Sequence, residues 1–223
     1  MREDVIKSNW ESLKTKSRYH FNKWIEDNRC VQELGRFTGD WQEQIQGVIN
    51  KSVPLTWASR RKMANPNRPP ADIEAEENDL IRAGADPKIT IYRGLIDFSE
   101  CPVCQTMTDF FQLKNPQAKL HTQFTGEMLN LHIDKLYDLD DDPNNVIRIM
   151  VMMQDWEPGQ FLMYGNQIHQ RWRSGDIHTF DWQNLPHATA NASLTPRPML
   201  VITGVKSEGT KKILEQTIDY KIC

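Results

Sequence analysis

The chain of 223 residues is short of several things, and each shortage removes a class of protein. It holds only four cysteines, Cys30, Cys101, Cys104 and Cys223, too few for a disulfide scaffold at this length. That usage fits a reducing compartment, so a cytoplasmic location is expected. Long apolar runs are missing: "MLVITGV" is typical of the longest, a strand-sized piece that cannot span a bilayer. An excess of one charge is missing too, since 27 Lys+Arg against 30 Asp+Glu leave a net charge of −3. Such a balance gives no electrostatic case for nucleic acid or an anionic membrane as partner. The opening "MREDVIKSNWESLKTK" lacks the apolar segment of a secretory signal. There is no low-complexity segment and no internal repeat. At this length the chain is expected to form a single domain over 1–223.

What is present falls into two textures. Residues 1–85 read as a helical N-terminal layer. Ile6, Trp10, Leu13, Phe21, Trp24 and Ile25 recur at helical spacing, and Trp41, Ile45, Val48 and Ile49 do so again in "GDWQEQIQGVINKS". "SRRKMANPNRPP" reads as loop, and "PADIEAEENDLIRAG" as a helix with proline near its first turn and Gly84 at its end. From residue 86 to 223 the chain becomes a series of short β-rich segments split by glycine, proline, asparagine and aspartate. Many strands in succession without intervening helices predict a sandwich or barrel rather than a parallel sheet. The tail "EGTKKILEQTIDYKIC" adds a closing helix. "CPVC" at 101–104 has the form of half a zinc knuckle or a redox pair, but with no second CxxC ordinary buried thiols are the simpler reading.

The chemistry gathers around "LHIDK" at 131–135. Side chains alternate along a strand, so His132 and Asp134 would share a face, with Ile133 on the other. A third ligand type, His187, follows in "NLPHATANA", where Pro186 favours extended backbone and places the histidine at a strand. Ten residues later Arg197 opens "RPMLVITGV" and shares a face with Met199 and Val201. If that face is internal, the guanidinium needs an anionic partner, which a small carboxylate ligand supplies in bidentate geometry. Two imidazoles and a carboxylate on one side of an ion leave its other positions open, the ligand set of non-haem Fe(II) oxygenases. His121, His169 and His178 are kept as structural or supporting histidines.

With these residues in place the sequence resembles the Fe(II)- and 2-oxoglutarate-dependent dioxygenases, in particular their prolyl-hydroxylase-like branch. The likeness runs over about 100 residues, through "TQFTGEMLNLHIDK", "VIRIMVMMQDWEPGQF", "RWRSGDIHTFDWQNLPHATANA" and "RPMLVITGV". It implies a mainly β fold with N-terminal helices, built on a double-stranded β-helix of jelly-roll or cupin type. It implies Fe(II) on His132, Asp134 and His187, and 2-oxoglutarate on Arg197, with O₂ as oxidant and ascorbate as an auxiliary reductant. The activity it implies is hydroxylation of an unactivated C–H bond, with 2-oxoglutarate decarboxylated to succinate and CO₂. Related halogenases lack the carboxylate that Asp134 supplies, so its presence favours hydroxylation over chlorination. The substrate is a peptide or protein side chain, or an amino-acid-like small molecule.

The chain departs from the branch where a tyrosine normally gives the co-substrate a second hydrogen bond. "RIMVMM" has methionines there, leaving Tyr164, Arg148 or Thr203 as substitutes. Arg148 shares a face with Met150 and Met152, so it is a pocket cation if that face is internal and a solvated charge if it is external. Two other classes stay open at this level: a zinc hydrolase using the same His/Asp/His set, and a cupin-like binding protein without chemistry.

Overall fold

The computed structural model describes residues 31–222 apart from 65–66, 83–85, 96, 100, 135 and 166. The apolar stripe expected over 6–25 lies outside the described residues. In chain order the elements are β1 (Val31–Thr38), α1 (Gln42–Ile49), β2 (Val53–Leu55), α2 (Trp57–Ala64), α3 (Pro70–Arg82), β3 (Tyr92–Leu95) and α4 (Pro102–Phe110). They continue as β4 (Lys114–Gln123), β5 (Met128–His132), β6 (Val146–Met152), β7 (Gln160–Tyr164), β8 (Gln167–His169) and β9 (Asp176–Phe180). The last are β10 (His187–Asn191), β11 (Arg197–Val205), α5 (Glu208–Leu214) and β12 (Ile218–Lys221).

The strands form two sheets. The larger runs β12-β1-β9-β6-β11-β4-β3-β2, and the smaller runs β5-β10-β7-β8. From β4 to β11 the chain alternates between them, which is the double-stranded β-helix. β6 and β11 are buried along their whole length because both of their faces are covered. Ile149, Val151, Leu200 and Ile202 point out of the barrel and pack with α1 and α4, on Trp41, Ile45, Cys104 and Met107. Met150, Met152, Met199 and Val201 point inward and meet Leu162 and Tyr164 from the smaller sheet. A period of two therefore sends each strand into two separate cores, and the even positions of β6 and odd positions of β11 face the barrel interior.

The turn after "RWRS" brings β9 in beside β1 through Gly175. Its φ is 87°, and a Cβ there would sit 2.0 Å from the carbonyl oxygen of Phe37. Only glycine fits both the backbone conformation and that approach.

The helical expectation for 1–85 needs correction from Val31 onward. α1 and α3 form where expected, and Trp41, Ile45, Val48 and Ile49 are buried together. Val31–Thr38, however, is a strand, held antiparallel by β9 and parallel by β12, and β2 pairs with β3. Partners far along the chain override local preference there. "SRRKMA", expected as loop, forms α2, in keeping with the good helix propensity of arginine, lysine, methionine and alanine. The tail forms α5 as expected, then adds β12. No helix among the described residues is long and apolar enough to cross a membrane.

Candidate metal centre

β5 and β10 are neighbours in the smaller sheet, and their register sets His132 opposite His187. The two rings lie with centroids 4.2 Å apart, both buried. His132 Nδ1 lies 2.8 Å from the carbonyl oxygen of Asn130, and His187 Nδ1 lies 3.0 Å from that of Leu185. A carbonyl oxygen only accepts, so each Nδ1 carries the proton and each Nε2 carries the lone pair. Both Nε2 atoms face Asp134: His132 Nε2 is 3.7 Å from Oδ1 and His187 Nε2 is 3.6 Å from Oδ2. One ligand atom from each residue falls within a sphere where all lie within 4.8 Å of one another. Donors about 2.1 Å from a common ion stand roughly 3–3.5 Å apart, so these three, which lie within 4.8 Å of one another, draw closer together when they share one divalent ion. The donor set, the tautomers and the burial all suit such an ion.

Asp134 reaches this position differently from the strand reading. β5 ends at His132, so alternation along a strand does not aim the aspartate. It is aimed by Arg148, whose Nη1 donates to Oδ2 at 2.6 Å from the middle of β6. Arg148 is buried and on the internal face with Met150 and Met152, which settles the choice between pocket cation and solvated charge.

Arg197 opens β11 as expected and is buried on the face of Met199 and Val201. Within the protein its Nη2 donates to two neutral groups, Gln123 Oε1 and Thr189 Oγ1. Gln123 is held in turn, accepting from Thr189 Oγ1 at 2.5 Å and donating to the carbonyl of Ile91 at 2.8 Å. Nη1 and Nε of Arg197 have no partner among the described residues. Burial without an anion pushes its pKa down to about 10. A guanidinium kept this deep can take an anion through Nη1 and Nε.

Both sites open onto one pocket, whose wall includes His132, His187, Arg148 and Arg197. Its wall includes Tyr164, whose hydroxyl hydrogen bonds to His178 Nε2 at 2.9 Å rather than pointing to a ligand by itself. Burial raises the tyrosine and holds His178 well below the ordinary histidine value, with His169 adding to the effect. Tyr92 and His121 stack face to face on another wall, 4.0 Å between centroids. Thr203, the third substitute considered for the tyrosine, is buried on β11 opposite Arg148 but does not line the pocket. His169 and His178, with ring centroids 4.6 Å apart, are not among the three residues of the ligand cluster found among the described residues. Gln123 and Thr189 were not foreseen. Thr189 had a signal, since it shares a strand face with His187; Gln123 had none.

Cys101 and Cys104 are buried with sulfurs 3.4 Å apart at the start of α4. They pack into the outer core, and among the described residues they belong to no three-ligand group.

No family model and no curated protein matches the chain. Among solved structures it is similar to a prolyl-4-hydroxylase from Pseudomonas putida, at 14% identity over 81% of this chain and 95% of that one, with a TM-score of 0.47. It is also similar to a Cupin 2 conserved barrel domain protein from Salinispora arenicola, at 10% identity over 56% and 83%, TM-score 0.32. A cupin protein from Bacteroides fragilis gives 14% identity over 44% and 70%, TM-score 0.31.

Proposed function

We propose that the chain is an Fe(II)- and 2-oxoglutarate-dependent oxygenase. The observation that carries this reading is the shared pocket of two sites: a His132–Asp134–His187 cluster with both Nε2 lone pairs turned inward, and a buried Arg197 with Nη1 and Nε left over. A zinc hydrolase uses the same three ligands but does not require an anion receptor beside them to generate its nucleophile. A 2-oxo acid uses both, chelating the ion at one end and meeting Arg197 with its distal carboxylate.

His132, Asp134 and His187 would hold the iron and leave its remaining positions to the co-substrate and O₂. When bound, the iron would activate O₂, the oxidant whose two oxygen atoms would end in succinate and in the hydroxylated substrate as 2-oxoglutarate loses CO₂. Arg197 orients the co-substrate, and Gln123 with Thr189 keeps the guanidinium from turning away. Leu129, Leu162, Met150 and Met199 line the pocket with apolar surface and limit water near the reacting atoms. The substrate classes are those expected from sequence, a peptide or protein side chain or an amino-acid-like molecule.

The test is succinate formation by the iron-loaded protein in air, screened against peptide and amino-acid pools. Succinate that requires Fe(II) and 2-oxoglutarate, and increases with one pool, supports the reading. Full iron loading with no succinate above the protein-free control would overturn it.

A further inference from the structure

Asp134 lies past the end of β5, so no sheet ladder fixes its carboxylate. The group is almost wholly buried, at 2% side-chain exposure, between two imidazoles and one guanidinium. A carboxylate in such a cluster has two ways to meet a metal, through one oxygen or through both. Through both, the carboxylate occupies one more position on the ion and leaves one fewer for other ligands.

We infer that Arg148 is a positioning residue that restricts Asp134 to single-oxygen ligation: both oxygens face a ligand histidine, Oδ1 at 3.7 Å from His132 Nε2 and Oδ2 at 3.6 Å from His187 Nε2, and the charge-assisted hydrogen bond to Oδ2 leaves the ligand role to Oδ1. This rests on the metal-centre reading. The guanidinium comes from the opposite sheet, in the middle of β6 and across from Thr203 of β11, so it is anchored independently of the loop that carries Asp134. At 2.6 Å the contact has the length of a strong charge-assisted bond. Its placement carries a cost, since a second cation stands beside a centre that receives a divalent ion. A neutral donor would hold the carboxylate without that repulsion. An arginine gives in return a planar, always-charged group that cannot lose its proton or rotate away as a lysine ammonium does.

Co(II) is the probe, because its visible spectrum reports coordination number without turnover. The wild-type chain, Arg148→Met, Arg148→Lys and Arg197→Met are loaded with Co(II) and then titrated with 2-oxoglutarate. Arg148→Met is expected to keep Co(II) but change its visible bands before any 2-oxoglutarate is added, as the second oxygen closes on the ion. Its 2-oxoglutarate affinity then falls by about tenfold or more, in the range seen when support of a ligand is removed. Arg148→Lys is expected to return part of the wild-type spectrum. Arg197→Met is expected to leave the Co(II) spectrum unchanged while losing 2-oxoglutarate. If Arg148→Met and the wild type give the same Co(II) bands, Arg148 does not act through Asp134 and the inference fails, whatever happens to the denaturation midpoint. If the wild type binds no Co(II), the metal-centre reading itself fails and takes the inference with it.

Discussion

His132 and His187 stand opposite each other in the register of β5 and β10, and each donates its Nδ1 proton to a carbonyl two residues back in its own chain. The same local device, used twice, sets both tautomers and aims both Nε2 atoms at Asp134. Replacing either ring with alanine is expected to abolish stable metal binding, read by equilibrium dialysis against Mn(II). Ile133, half-buried between the two ligand positions, offers no ligand atom. Ile133→Val is therefore expected to bind metal as the wild type does, at a stability cost of about 1 kcal/mol.

Arg197 depends on Gln123. Removing the amide in Gln123→Leu takes one acceptor from a fully buried guanidinium and also leaves Thr189 without its partner oxygen. A loss of about 2 kcal/mol in urea unfolding is expected, with Mn(II) affinity unchanged. A fall in metal affinity equal to that of the histidine variants would mean that the two halves of the pocket are not separable as described.

Much of this site was legible in the sequence, and the limits have physical causes. His132, Asp134, His187 and Arg197 could be picked out because ligand chemistry restricts residue type, and type plus order survives without coordinates. Strand alternation does not explain the pairing of His132 with Asp134, since β5 ends at His132, two residues before the aspartate. What aims Asp134 is Arg148, and that depends on how two sheets face each other, which no local pattern encodes. Gln123 escaped for the same reason: it meets Arg197 only through the β4–β11 register. β1 was misread as helix because its strand state comes from β9 and β12, both more than a hundred residues away in the chain.

Gly175 is expected to be among the least replaceable positions of the fold. In Gly175→Ala the new Cβ meets the Phe37 carbonyl at 2.0 Å and the backbone keeps a φ of 87°. A cost of about 3 kcal/mol is expected from strain and displacement of β1 together. Gly126 has a similar φ of 85° but nothing near its Cβ position, so Gly126→Ala should cost only about 1 kcal/mol. Thermal melts of the two variants side by side check the difference.

Stability should fall on mild acidification through His178. Burial holds its folded-state pKa well below 6.5, while the unfolded chain takes up a proton near 6.5. As pH drops below that value the unfolded state binds more protons than the folded one, so the contribution is whole above 6.5 and is lost progressively beneath it. His169, lowered for the same reason, acts in the same direction. Each such group contributes a slope of up to about 1.4 kcal/mol per pH unit. Urea midpoints measured from neutral pH downward should show the decline, and His178→Asn should make it shallower.

The central claim is that one pocket holds a metal ion and a 2-oxo acid together, and anaerobic visible spectroscopy tests it most directly. Fe(II) followed by 2-oxoglutarate is expected to produce a weak charge-transfer band in the wild-type chain. The band should be missing in His132→Ala, which loses the ion, and in Arg197→Ala it should appear only at much higher 2-oxoglutarate concentration. An iron-loaded wild-type chain that gives no band at saturating 2-oxoglutarate would contradict the account.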